Sequence, residues 1–196
     1  MIITHNIQKN TYNNYTNKNT KLGRDVKNGK IFKIKRGIYE TNPKVSLHYL
    51  SSILYGPSYI SFDYALAYYG LIPERVYTVT CATLNKKKKK TISTQFGTIT
   101  YRDVPSSVYP FEVKLIEENG YVFHMATKEK ALCDKLYTLP PVKNINEMKM
   151  LLLSDLRIDE DELEMLDLKV ISKLSILYHS TNVTMLFKLL WRCNNE

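Results

Sequence analysis

Between Gly56 and Thr83 the chain reads GPSYISFDYALAYYGLIPERVYTVTCAT, where a breaker, a helix start, a helix stop and a strand follow one another. Gly56-Pro57 interrupts whatever precedes it. Ser61 is placed as an N-cap, because its hydroxyl can accept a hydrogen bond from a free amide of the first turn. Asp63 sits where the positive end of a helix favours a carboxylate. Phe62, Ala65, Leu66 and Tyr69 recur at helical spacing, and Gly70 supplies the left-handed residue that closes a helix. Tyr77 to Ala82 then alternates β-formers, so the chain leaves the helix into a strand. Such a switch within one short stretch commits the fold to mixed α and β structure.

Five tyrosines, Tyr59, Tyr64, Tyr68, Tyr69 and Tyr77, crowd this stretch. Exposed, they would make a base-stacking platform worth roughly 1 to 3 kcal/mol per base. As an amphipathic core helix they serve instead as large hydrophobes with a polar tip, and this second reading is the stronger.

The charge is segregated. The net charge is +9, yet residues 1–45 hold ten Lys and Arg against two acids, and Lys86 to Lys90 add five more. The remainder is net acidic. A local excess of this kind predicts a polyanion-binding surface, since phosphate contacts release counterions. At 196 residues the chain is long enough for one large or two small domains. No run approaches the roughly 18 apolar residues of a membrane span, and MIITHNIQKNTYNNY lacks the apolar centre of a secretion signal. A cytoplasmic location is expected. Cys81, Cys133 and Cys193 are odd in number, far apart and set in apolar segments, which predicts buried free thiols. His5, His48, His124 and His179 are equally scattered, and no metal-ligand spacing occurs.

Residues 1–18, rich in Asn, Thr and Tyr, predict a poorly ordered arm or at best a short helix. From Asn19 to Asn28, Leu22 and Val26 share one helix face while Lys21, Arg24 and Lys27 share another. Gly29 ends that helix. KIFKIKRGIY then alternates, with Lys33 and Lys35 outward and Arg36-Gly37 as the turn. A basic helix leading at once into a basic ribbon is the pattern of the second half of a winged helix-turn-helix, with the helix in the major groove and the wing along the backbone. A solvated helix and hairpin would give the same letters. A complete module needs further helices upstream, so the module is abbreviated or borrows packing from elsewhere.

Pro43 falls in the expected first turn of a helix running to about Leu54. Thr91 to Phe96 and Thr98 to Tyr101 predict a hairpin pairing with the strand at Tyr77 to Ala82. Lys86, Lys87, Lys88, Lys89 and Lys90 then occupy a strand connection, either as a solvated loop or as a second basic patch. Val113 to Ile116 and Tyr121 to Met125 predict another hairpin around Glu118-Asn119-Gly120. Thr127 caps a helix with Lys130, Ala131, Leu132, Leu136 and Tyr137 on its packed side and Lys128 and Glu129 outward. From Asn146 to Trp191 the chain is helical in character, and Asp159 to Glu164 carries helix-start chemistry.

Three stretches together resemble the AbiEi-type antitoxins of bacterial abortive-infection, or type IV toxin-antitoxin, systems. They are GKIFKIKRGIY, similar to that family's wing, YISFDYALAYYGLIPE, and Ala126-Thr127-Lys128-Glu129-Lys130-Ala131-Leu132 with Asp134, where Lys128 replaces a proline of the family pattern. The resemblance spans roughly residues 19–170. It implies an α+β chain with an abbreviated winged helix-turn-helix over residues 1–42 and a mixed α/β antitoxin domain over 43–196, with antiparallel hairpins and a helical C-terminus. It also implies a phage-defence protein that represses its own operon by binding promoter DNA and antagonises a nucleotidyltransferase-like toxin without requiring a stable complex. Carried over by position, Lys21, Arg24 and Lys27 face the groove, and Lys30, Lys33, Lys35 and Arg36 lie on or near the wing. No cofactor is implied, and the oligomeric state is left open.

Two alternatives stand beside this one. A stand-alone winged-helix transcriptional regulator would need the same basic residues. A metal-dependent nuclease would use Asp103 with Glu112-Val113-Lys114, if adjacent strands brought the carboxylates onto one cation and the lysine onto the attacking water. Glu-x-Lys is a common triplet on exposed strands, the histidines lack a Ser or Cys partner, and no Gly-rich loop follows a strand. The sequence therefore predicts no catalytic constellation and a non-enzymatic protein.

Overall fold

The computed structural model describes residues 2–4 and 11–194, an α+β fold with two sheets. The smaller sheet holds β1 (Ile2–Thr4), β2 (Phe32–Lys35) and β3 (Ile38–Glu40) in the order β1-β3-β2. Helix α1 (Lys18–Lys27) precedes the β2-β3 hairpin and is capped by Asn17, whose side chain accepts from the Thr20 amide. Residues 2–4 are thus an edge strand antiparallel to β3, which corrects the expectation of a poorly ordered arm. Tyr12 is likewise buried, in a small core with Leu22 and Ile31. Those two stretches are tied down by partners remote in sequence. The predicted alternation of β2 holds on one side, with Lys33 and Lys35 exposed and Ile34 buried, but the β2-β3 register shifts between Lys33 and Lys35.

The larger sheet has the order β6-β7-β5-β4-β9-β8. Its strands are β4 (Ser58–Ile60), β5 (Val79–Thr83), β6 (Lys90–Thr94), β7 (Gly97–Asp103), β8 (Val113–Glu118) and β9 (Tyr121–Ala126). Both predicted hairpins, β6-β7 and β8-β9, form, and β7 lies beside β5 as expected, here in parallel. Asn119 and Gly120 both have positive φ, as a two-residue hairpin turn of matching twist requires. Strand β4 is the joint, antiparallel to β5 on one side and parallel to β9 on the other.

Helix α2 (Leu47–Leu54) packs on one face of this sheet, where Tyr101 of β7 donates to the Ser51 carbonyl at 2.7 Å. It begins four residues after Pro43, which lies in the preceding turn and not in the helix. Helices α3 (Phe62–Tyr68) and α4 (Lys128–Tyr137) pack against each other on the sheet. Gly70 closes α3 as predicted, with the Gly70 amide on the Ala67 carbonyl and the Leu71 amide on the Leu66 carbonyl. The C-terminal layer comprises α5 (Ile145–Met150), a π-helical turn (Leu151–Asp155), α6 (Glu160–Glu164), α7 (Leu168–Tyr178) and α8 (Thr181–Cys193). Glu160, Asp161 and Glu162 fill the first turn of α6, where the dipole favours them. The main core runs from Ile34 through the sheet to Leu190. Among the described residues no helix is long and apolar enough to cross a membrane.

Candidate functional site

The two stretches that resemble the antitoxin family most specifically meet in the interior. Tyr59 and Ser61 flank the last residue of β4, and Lys130 and Asp134 lie one turn apart on α4. The Asp134 carboxylate accepts from Ser61 Oγ at 2.6 Å, Tyr59 OH at 3.0 Å and Tyr178 OH at 2.5 Å. Lys130 Nζ lies 3.2 Å from the same carboxylate, donates to Tyr178 OH at 2.6 Å and sits 4.6 Å from the centre of the Tyr178 ring. Lys130, Asp134 and Ser61 are fully buried. Burial pulls the Lys130 ammonium below its ordinary pKa, opposed by Asp134, and burial pushes both tyrosine hydroxyls well above theirs. The network ties β4, α4 and α7 together through buried side chains, so these motif residues hold the fold.

Three expectations about α3 and α4 are corrected. Ser61 occupies the N-cap position of α3, but its hydroxyl goes to Asp134. The capping contact comes from Thr80 of β5, whose Oγ1 accepts from the Tyr64 amide at 3.0 Å and donates to the Ser61 carbonyl at 2.5 Å. On α4, Glu129 is buried, because its carboxylate accepts from the Asp167 amide at 3.2 Å, while Tyr137 is exposed. Thr127 caps α4 as predicted.

The basic residues are carried by α1, the β2-β3 hairpin and the segment leading into β6. Arg24 and Lys27 project from α1 away from its packed face, which carries Leu22, Asp25 and Val26. Lys21 is held at 2.8 Å by Asp25, whose other oxygen accepts from Tyr12 at 3.0 Å. Lys30, Lys33 and Arg36 are exposed. Lys35 is not free: its Nζ donates to the Leu54 carbonyl at 2.6 Å, at the C-terminal end of α2 where carbonyls lack helical partners. Burial, then the nearby Lys90 charge, lower the Lys35 pKa. Beside it, Lys86 and Lys90 lie 5.1 and 4.4 Å from the centre of the Tyr55 ring. Phe32 of β2 meets Phe96 of the β6-β7 turn edge-on at 6.0 Å. The hairpin at Arg36 and the lysine run, about fifty residues apart in sequence, therefore adjoin around Leu54 and Tyr55. Lys87, Lys88 and Lys89 are exposed beyond them.

The other candidates separate. Asp103 ends β7, accepting from Thr83 Oγ1 and the Lys87 amide, whereas Glu112 and Lys114 lie at β8. Three strands intervene, about 19 Å at the usual strand spacing. The adjacency that a nuclease reading of these residues needs is missing. Tyr59 is buried, Tyr64 and Tyr69 are half-buried, and Tyr68 and Tyr77 are exposed, so the tyrosines form no continuous platform. Cys81 and Cys133 are buried, with Cys81 pushed by burial to about 12, but Cys193 is exposed at the end of α8. His48, unassigned by sequence, bridges Glu118 at 3.0 Å and Tyr64 at 2.5 Å. No group of three metal-ligating side chains occurs among the described residues. A scan against protein-family models finds no match, and a search of curated proteins finds none.

Proposed function

We propose that this chain is a DNA-binding autoregulator and antitoxin of the abortive-infection kind, with α1 and the β2-β3 hairpin as its winged-helix reader. The adjoining of that hairpin and the lysine run around Tyr55 carries the reading. Gathering several ammonium groups on one surface costs folding free energy through like-charge repulsion, which bound phosphates would relieve. The topology supports it too, since α1 leads directly into the β2-β3 ribbon and β1 braces the ribbon from the side. Arg24 and Lys27 are the groove-facing candidates. Lys30, Lys33 and Arg36, with Lys86 to Lys90, are the backbone candidates, and Lys21 and Lys35 orient the helix and ribbon through Asp25 and the Leu54 carbonyl.

Antagonism of a nucleotidyltransferase-like toxin rests on the sequence resemblance alone. Its test is co-expression with the reading frame adjoining this gene and measurement of growth rescue. For DNA binding, anisotropy titrations on the chain's own upstream region at several salt concentrations should give an affinity that falls steeply with salt. Arg24→Ala and Arg36→Ala should each reduce the salt slope by about one. A salt-independent affinity, or none for that region, refutes the DNA reading.

A further inference from the structure

On the side of the β5-β7-β6 half-sheet away from α2, between the strands and the ends of α3 and α4, lies a cleft of about 320 Å³. Strand register places Thr80 opposite Thr100 and Thr100 opposite Thr91, so three threonines form one row across three strands. Because side chains alternate along a strand, this row lies opposite the face that buries Val79, Ile99 and Tyr101. Thr80 is committed to capping α3, whereas the hydroxyls of Thr91 and Thr100 have no side-chain partner among the described residues. Arg102, two residues beyond Thr100 on the same face, lines the cleft with Lys89 and Lys135. Lys135 is neutralised by Asp63 at 2.6 Å. Arg102 and Lys89 pair with no carboxylate among the described residues.

We propose that this cleft binds a phosphate group, through the guanidinium of Arg102, the ammonium of Lys89 and the hydroxyls of Thr91 and Thr100. A planar guanidinium beside free hydroxyls is the donor set that phosphate oxygens accept from, and the volume suits one or two phosphates. The phosphate comes either from a free polyphosphate ligand or from a nucleic-acid backbone. Lys90 lies 4.4 Å from the centre of the Tyr55 ring and also lines the cleft, so a backbone could pass from the Tyr55 surface around the sheet edge into it.

Calorimetric titration with tripolyphosphate and anisotropy with a short duplex test this on the full chain. Arg102→Gln and Thr100→Val should each weaken tripolyphosphate binding about tenfold, the loss of one charge-assisted hydrogen bond. Lys173→Gln, exposed on α7 and outside both the cleft and the basic surface, should leave it unchanged. Loss of tripolyphosphate binding with duplex binding intact identifies a free ligand, and loss of both identifies a backbone. Wild-type protein that binds no tripolyphosphate, or variants that keep wild-type circular dichroism and lose neither ligand, overturn the proposal. Arg36→Ala acts on duplex alone, so failure of the winged-helix reading is told apart from failure of the cleft.

Discussion

Ser61 donates its hydroxyl to Asp134 across 73 residues of chain, at 2.6 Å and with both side chains fully buried. Asp134 gathers three hydroxyls and one ammonium, and the partners do not contribute alike. Asp134→Ala leaves the Lys130 ammonium buried with only Tyr178 OH, and should cost about 3 to 5 kcal/mol or prevent folding. Lys130→Met leaves the carboxylate with all three hydroxyl donors and should cost clearly less. Urea unfolding of both variants checks the order, and an equal or larger loss for Lys130→Met would show that the ammonium holds the cluster.

Thr80 acts as the N-cap of α3 from a neighbouring strand. Thr80→Val keeps the shape and removes the oxygen, leaving the Tyr64 amide without its acceptor. A loss of about 1 kcal/mol by chemical denaturation is expected, the ordinary value of a cap. No change would mean that water replaces the hydroxyl.

Gly23 lies inside α1, and a Cβ there would meet nothing within 4 Å. Gly23→Ala should therefore stabilise the helix by up to about 1 kcal/mol, read as a raised unfolding midpoint. If α1 enters a groove closely at this point, the same variant weakens DNA binding while it stabilises the protein.

Asp25 makes α1 sensitive to acid. The hydrogen bond from Lys21, then that from Tyr12, hold its carboxyl below the ordinary 3.8 against the opposing effect of burial. A folded-state pKa below the unfolded one adds stability that is present above about pH 4 and lost as pH falls through the folded value. Amide exchange in α1 should accelerate over that acid window. Asp25→Asn should flatten the dependence, and an unaltered profile in that variant would assign it to another group.

What could be read from the sequence was what is decided locally. Thr127 caps a helix begun one residue later, Asn119-Gly120 turns a hairpin on its own backbone, and Gly70 ends α3 within its last turn. The role of Ser61 is not legible locally, because its acceptor is 73 residues away and the amide it would cap is taken by Thr80 from a neighbouring strand. Glu129 looked outward by helical period and is buried because the start of α7 offers it an amide. Residues 2–4 look featureless until β3 supplies a ladder. The basic residues were legible one by one. That the lysine run borders the hairpin follows only from the β6-β7 register and from α2 lying beneath both.

Strand β4 is three residues long, yet it alone joins the two halves of the larger sheet, with β5 on one side and β9 on the other. Its pairing with β5 closes a short loop, whereas Ile60 reaches Met125 only after 64 residues have been laid down. Non-local pairing of this kind slows folding, because loop entropy is lost before the contact rewards it. On the ribosome, β4 waits with one edge unsatisfied until β9 emerges, and the Asp134 cluster waits further for Tyr178. The main core is therefore completed only after Tyr178 has emerged. Until then, the exposed edge of β4 is the place where a nascent copy would pair wrongly with another.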